Sequence, residues 1–250
     1  MGELANKVAW VTGGGTGIGA AGAEALAADG AVVVLSGRRR DVLDETAARI
    51  AAQGGMAAAM PVDVADGAAM AAAADEIRDR HGTIDILVHS AGTNIPDRSW
   101  SRIEPEGWKL IVDVNLNGSY NAVQAVLPAM RAAGDGLLIL VSSWAGRYDT
   151  LLTGPGYNAT KHGMRAMAAH LNLEEGKNGI RCCTVMPGEV NTPILDKRPI
   201  PVPEEERVRM MQPEDMGETI RFVARLHPRV CVNEILISPT WNRLNVQPAG

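Results

Sequence analysis

No stretch of this chain approaches the ~18 consecutive apolar residues of a membrane-spanning helix, so no membrane partner is expected. Cysteine is scarce. Cys182, Cys183 and Cys231 are odd in number and show no C-x-x-C spacing, which predicts reduced thiols rather than a disulfide framework or redox motif. No His/Cys/Glu cluster has zinc-ligand spacing, so no metal is expected, and His162 is a candidate only for lining a pocket. An excess of positive charge is also missing. The net charge of −5 argues against a protein that grips nucleic acid through its phosphates. The N-terminal MGELANK lacks a signal-peptide pattern, and position 6 is Asn where myristoylation needs Ser or Thr. The expectation is a cytoplasmic protein. The sequons at Asn117 and Asn158 then carry no meaning.

What is present is a regular alternation of strands and helices, with no internal repeat and no linker. Strands are predicted over 7–12, 31–36, 56–62, 84–89, 137–142, 181–186 and 232–238. Helices are predicted over 18–28, 41–52, 67–80, 106–132, 157–177 and 216–226. Pro128 marks an expected kink or break in the long fourth helix. This pattern predicts a single α/β domain over 1–250, a doubly wound parallel sheet of about seven strands with helices on both faces. The least regular stretch, 187–213, holds prolines at 193, 199, 201 and 203. It follows the C-terminal end of a strand, where such sheets bind ligands, and reads as a mobile substrate loop or lid.

Between the first strand and first helix lies Thr12-Gly13-Gly14-Gly15-Thr16-Gly17-Ile18-Gly19. Glycines allow a tight turn and close backbone approach to a pyrophosphate, and the helix N-terminus offers unpaired N–H groups. The literal G-x-G-x-x-G at Gly17, Gly19 and Gly22 begins too late, because Gly22 falls a turn inside the helix. The working pattern is Gly13-x-x-x-Gly17-x-Gly19.

Tyr157 and Lys161 stand one helical turn apart and share a face. A free tyrosine has a pKa of about 10, too high for acid/base work near neutrality. Moving it to about 7 takes roughly 4 kcal/mol, which a lysine and a cationic nicotinamide ring together could supply. Upstream lie Ser142-Ser143, after the apolar run 137–141, and Asn115.

With TGGGTGIG at 12–19, Asp63-Val64, Ala91-Gly92, Asn115, Ser143, Tyr157, Lys161 and Pro187-Gly188 through Thr192, the chain resembles the short-chain dehydrogenase/reductase family in its single-domain form. The resemblance covers nearly the whole length and implies a Rossmann-type sheet. It further implies that Tyr157 donates or accepts the proton, that Lys161 holds the nicotinamide ribose and lowers the tyrosine pKa, and that Ser143 orients the substrate oxygen. Asn115 is implied to support a water linking Lys161 to solvent. Gly13, Thr16, Gly17, Ile18 and Gly19 are implied to hold the cofactor, with Asp63 and Val64 at the adenine and Ala91 and Gly92 alongside. Pro187, Gly188, Val190 and Thr192 would cover the nicotinamide end. Ser143 is preferred to Ser142 because it matches the family serine in SSWAG, and strand alternation lets only one of the two face the site. Its distance to Tyr157 is one residue longer than in many relatives. The family's Asn-Asn-Ala-Gly is His89-Ser90-Ala91-Gly92 here, so the asparagine side chains must be replaced.

The second strand ends Leu35-Ser36-Gly37-Arg38-Arg39, with no acidic residue before Asp41 to bind a ribose 2′-OH. A guanidinium suits a 2′-phosphate. NADP is therefore favoured, with Arg38 the first contact and Arg39 next, and NAD is the alternative. The reading is an NAD(P)-dependent oxidoreductase acting on a small secondary alcohol or ketone. The alternatives are a nucleotide-binding regulatory or scaffold protein without turnover, and a 3-oxoacyl thioester reductase. The segment 232–240 resembles that of family members acting on short hydroxy acids and related alcohols. Trp144, Arg147, Tyr148 and the 189–212 loop are candidates for shaping the pocket. A homodimer or homotetramer is implied through helices 106–132 and 155–177. These carry the small residues Ala122, Ala125, Ala129, Gly163, Ala166 and Ala169.

Overall fold

Strands covered on both faces need apolar side chains at successive positions, and the central strands of this sheet have them along most of their length. In the computed structural model, which describes residues 2–242, β1 (Val8–Thr12), β2 (Val32–Gly37), β3 (Met56–Pro61), β4 (Ile86–His89), β5 (Gly136–Val141), β6 (Ile180–Pro187) and β7 (Glu234–Ile237) form one seven-stranded sheet. All pairings are parallel, in the order β3-β2-β1-β4-β5-β6-β7.

Side chains alternate between two cores with a period of two. On one face Ala9, Val11, Val33, Leu35, Ile139 and Val185 meet Leu26 of α1 (Gly17–Ala28), Leu43 and Ile50 of α2 (Arg40–Ala52), and Ile220 of a late helix, Pro213–Arg225. On the other, Val8, Trp10, Val34, Leu138 and Leu140 meet Met70 and Ile77 of α3 (Gly67–His81) and residues of two further helices. Each fully buried leucine or isoleucine here contributes about 1.5–3 kcal/mol from apolar burial. Trp10 can be buried because its indole N–H donates to Ser36 Oγ at 2.8 Å, and that hydroxyl donates to the Met60 carbonyl.

The predicted single helix over 106–132 is three pieces: α4 (Pro105–Val112), a π-helical turn at Asp113–Asn117, and α5 (Gly118–Ala133). Pro128 lies inside α5, which continues through it, so the expected break is not there. Pro128 and Gln124 are both exposed, which leaves the carbonyl released by the proline on the hydrated side. The departure from α geometry sits instead around Asn115 and turns that residue into the interior. The next helix, α6 (Gly154–Glu175), starts before Tyr157, with Pro155 in its first turn. Met130 of α5 and Met164 of α6 complete the second core.

The 187–213 stretch is more ordered than its prolines suggest. It contains a 3₁₀ turn (Pro193–Lys197), α7 (Glu204–Arg207) and a bridge between Val190 and Met211, closed over its own apolar cluster of Leu195, Val202 and Met210. It leads into α8 (Pro213–Arg225), which packs tightly on α1. A Cβ at Gly22 would meet Ile220 Cδ1 at 2.7 Å, and one at Gly217 would meet the Ala21 carbonyl oxygen at 2.7 Å. Gly22 therefore serves helix packing, in keeping with its exclusion from the glycine pattern. Among the described residues no helix is long and apolar enough to cross a membrane.

Candidate active site

The strand order reverses direction at β1 and β4, and such sheets open a crevice there at the strands' C-terminal ends. A cleft of about 500 Å³ lies at this point. One end is floored by Gly13, Thr16, Gly17 and Ile18, flanked by Arg38, Arg39, Asp63, Val64, Ala91 and Gly92. The other end is lined by Ser143, Tyr157, Lys161, Pro187, Gly188, Val190 and Thr192. Seventeen of these predicted positions thus share one cleft, while Gly19 and Asn115 stand behind it.

Backbone closeness explains the glycines. Gly13 has φ +68° and its Cβ would meet the Ala91 nitrogen at 2.7 Å; Gly17 has φ +55° and would press on Thr192. Gly19 is buried, with the Gly13 carbonyl oxygen 2.2 Å from where its Cβ would be. It shapes the turn from beneath. A side chain at any of these positions would fill or distort the cradle, and α1 begins at Gly17 with its first amides facing the cleft end.

At the outer end Arg40 pairs with Asp44, and Arg38 and Arg39 have no acidic partner among the described residues. Ser36, the hydroxyl nearest this strand end, is already committed to Trp10 and Met60. The donor set therefore fits a phosphate better than a pair of ribose hydroxyls.

At the inner end strand alternation separates the two serines. Ser142 is buried and donates to the Lys161 carbonyl at 2.9 Å, tying β5 to α6. Ser143 is extended, faces the cleft, accepts the Ala145 N–H at 3.1 Å, and sits near enough to the Tyr157 phenol to pull its pKa down. Lys161 Nζ donates to the Val141 carbonyl at 2.8 Å and lies 5.6 Å from the centre of the Tyr157 ring. Burial pulls its ammonium down to about 7.

Burial pushes the Tyr157 phenol above its usual value, against a pull from Ser143 and from the guanidinium groups of Arg98 and Arg198. The cations that favour the phenolate are thus these two arginines, which sequence reasoning missed. Arg198 pairs with Glu189 at 2.6 Å, and Lys197 donates to Thr93 Oγ1 at 2.8 Å. Only the ligand-side position of 187–213 pointed toward this region.

Asn115 is fully buried in the π-helical turn. Its Oδ1 accepts the Thr93 N–H at 2.7 Å, and its Nδ2 donates to the Thr93 carbonyl at 3.0 Å and to Thr160 Oγ1 at 3.3 Å. It anchors the loop after β4 to α6, one layer behind the cleft. His89, where the family pattern has asparagine, is fully buried. Its Nδ1 lies 2.8 Å from Thr12 Oγ1, joining β4 to β1, and burial drives its ring down to about 3. It is a neutral strap between strands, while Ser90 edges the cleft.

Trp144 lines the cleft, but Arg147 and Tyr148 do not; Tyr148 packs edge-on against Trp144 with ring centres 5.5 Å apart. His162 is outside the cleft as well, with its Nδ1 3.0 Å from the Asn158 carbonyl oxygen. The Asn158 side chain bonds Thr150 and Thr153, closing the segment before α6.

The model of the family described as short chain dehydrogenase matches residues 7–200. Cyclohexanol dehydrogenase of an Acinetobacter strain is 33% identical over 224 residues, covering 87% of this chain and 87% of the relative. Among solved structures, an alcohol dehydrogenase of the archaeon Thermococcus sibiricus complexed with 5-hydroxy-NADP superposes with a TM-score of 0.85 at 27% identity, over 95% of this chain and 98% of that one. A metagenomic short-chain oxidoreductase in complex with NADP gives 0.83 at 31%, over 95% and 99%.

Proposed function

The chain belongs to the short-chain dehydrogenase family, and on that premise we propose that it is an NADP-dependent oxidoreductase interconverting a small secondary alcohol and its ketone. The observation that carries this reading is that Ser143, Tyr157 and Lys161 converge at the end of a glycine-floored cleft, with Lys161 Nζ 5.6 Å from the centre of the tyrosine ring. Gly13, Thr16, Gly17 and Ile18 would hold the pyrophosphate, Asp63 and Val64 the adenine, and Arg38 and Arg39 the 2′-phosphate. When bound, the nicotinamide supplies or accepts the hydride. Tyr157 passes the proton to or from the substrate oxygen, and Ser143 orients that oxygen by a second hydrogen bond. Lys161 holds the nicotinamide ribose and, when protonated, stabilises the phenolate. Asn115 keeps the Thr93 loop at the working distance from α6. The structural neighbours complexed with NADP or its hydroxy derivative support the choice of nucleotide.

Purified protein should oxidise NADPH when offered a panel of small ketones. Tight NADPH binding with no turnover on any of them would instead favour a regulatory or scaffold role. Arg38→Ala should raise the KM for NADPH about 10- to 100-fold, the loss expected for a charge-assisted contact, with a much smaller change for NADH. The 2′-phosphate is the one group separating the two ligands, so comparable losses with both would place Arg38 elsewhere.

Cys182, Cys183 and Cys231 are free thiols, which suits a reducing, cytoplasmic setting. The reading also includes a symmetric homo-oligomer through α4, α5 and α6. Ala122 and Gly163 are spent inside the chain, the first in the core and the second against Leu116. Ala166 and Ala169 are exposed, as are Tyr120 and Leu173, and these leave an outward face for an isologous contact. Light scattering at micromolar concentration should report at least a dimer, and a single-chain mass with full activity would refute it.

A further inference from the structure

Arg98 lines the cleft, and the proposed reaction leaves its chemistry unused. It lies in the loop between β4 and α4, is only 7% exposed, and lines the cleft beside Ser143, Trp144 and Tyr157. Its Nε and Nη2 are both buried without a hydrogen-bond partner among the described residues. These two nitrogens lie on the same edge of the guanidinium plane, and their N–H bonds run parallel. That edge matches the two oxygens of a carboxylate in a bidentate contact. A second cleft-lining donor, the Trp144 indole N–H, is likewise buried without a partner.

An unpaired buried guanidinium is costly, and a fold keeps one in place only if something holds it. Here the backbone does. Gly154 opens α6 at φ +74°, and a Cβ there would lie 2.2 Å from the Arg98 carbonyl oxygen. Asn94 of the same loop donates to the Thr153 carbonyl at 3.0 Å. The loop is thus seated on the start of the helix that carries Tyr157. The nearby carboxylates are engaged elsewhere: Glu189 pairs with Arg198 at 2.6 Å, and Asp97 with Arg102 at 3.7 Å. The inner end of the cleft therefore presents an uncompensated planar cation next to the tyrosine.

Building on the oxidoreductase reading, we infer that the substrate is a small hydroxy acid or its oxo acid, whose carboxylate is held by the Nε/Nη2 edge of Arg98 while its carbinol or carbonyl oxygen meets Ser143 and Tyr157. Arg98 is a specificity-determining residue in this account. It makes no bond to the reacting carbon, and it selects an acid over the matching neutral ketone.

The test uses the intact protein with bound NADP. Titration calorimetry with malonate should show binding to the wild type, with dimethyl malonate failing to bind. Arg98→Gln should weaken malonate about 10- to 100-fold, the range for a hydrogen-bonded charge. With NADPH, kcat/KM for 3-oxobutanoate should fall by a similar factor relative to that for its neutral analogue acetoacetamide. Equal loss on both carbonyl compounds, with a shifted pH profile, would mean that Arg98 only tunes Tyr157, and the inference would fail. Equal affinity of the wild type for malonate and its diester would overturn it too, and needs no variant that must fold. If malonate binds through Arg98 but no carbonyl compound is reduced, the anion site stands and the oxidoreductase reading falls. Arg98→Lys keeps the charge and loses the paired edge, so it should recover only part of the malonate affinity.

Discussion

Tyr157→Phe should abolish turnover while nucleotide binding persists. The ring stays packed against the cleft wall beneath Lys161, so the site keeps its shape. What is lost is the phenolic O–H, which the proposed reaction uses to carry the proton. General acid catalysis contributes about 10²- to 10⁴-fold, and the loss should reach that range. Steady-state rates and nucleotide titration on the same preparation check the two halves. Retention of more than about a tenth of the wild-type rate would remove Tyr157 from the role of general acid.

Lys161→Ala should weaken nucleotide affinity and rate together, each by roughly 10-fold or more, because one ammonium is assigned both ribose binding and support of the phenolate. A selective loss of one would contradict that assignment. The pH dependence makes a sharper test. Burial lowers the Lys161 ammonium to about 7 in the free protein. It is charged below that value and neutral above it, so the part of kcat/KM that depends on its charge should decline as pH rises past about 7. An arginine stays charged throughout, so Lys161→Arg, though slower, should lack that decline. An unchanged profile would count against the electrostatic role. The same shift affects stability in the opposite sense. The folded value lies below the unfolded 10.5, so the burial cost is fully present below about 7 and is relieved as pH rises toward 10.5.

How legible each element was depended on the range over which its residues act. β1, β2 and β5 were evident because a strand buried on both faces must be apolar at successive positions. α1 and α2 followed from their flanking turns. The long helix over 106–132 was misread at its centre. A π-helical turn inserts one residue per turn without changing composition, and Asn115 turns inward only because Thr93 and Thr160 lie on other elements. The 187–213 stretch was read from its prolines as irregular. Its apolar cluster of Leu195, Val202 and Met210 becomes visible only when the chain folds back on itself.

By itself, the sequence determined the sheet's parallel character, the glycine turn, and the residue types that the proposed reaction uses: Ser143, Tyr157 and Lys161 at spacings that a strand end and one helical turn satisfy. These are local properties, set by periodicity and by the steric demands of glycine. The tertiary structure alone decided which charges face the reacting oxygen. Arg98 comes from the loop after β4 and Arg198 from the stretch after β6. Glu189 pairs with the second, while Nε and Nη2 of the first have no hydrogen-bond partner among the described residues. Whether a guanidinium is solvated, paired or buried with an open edge depends on which distant segments close around it, and no local pattern encodes that. His89 shows the same limit. Its imidazole becomes a neutral strap to Thr12 only because β4 lies beside β1 and both are sealed from water.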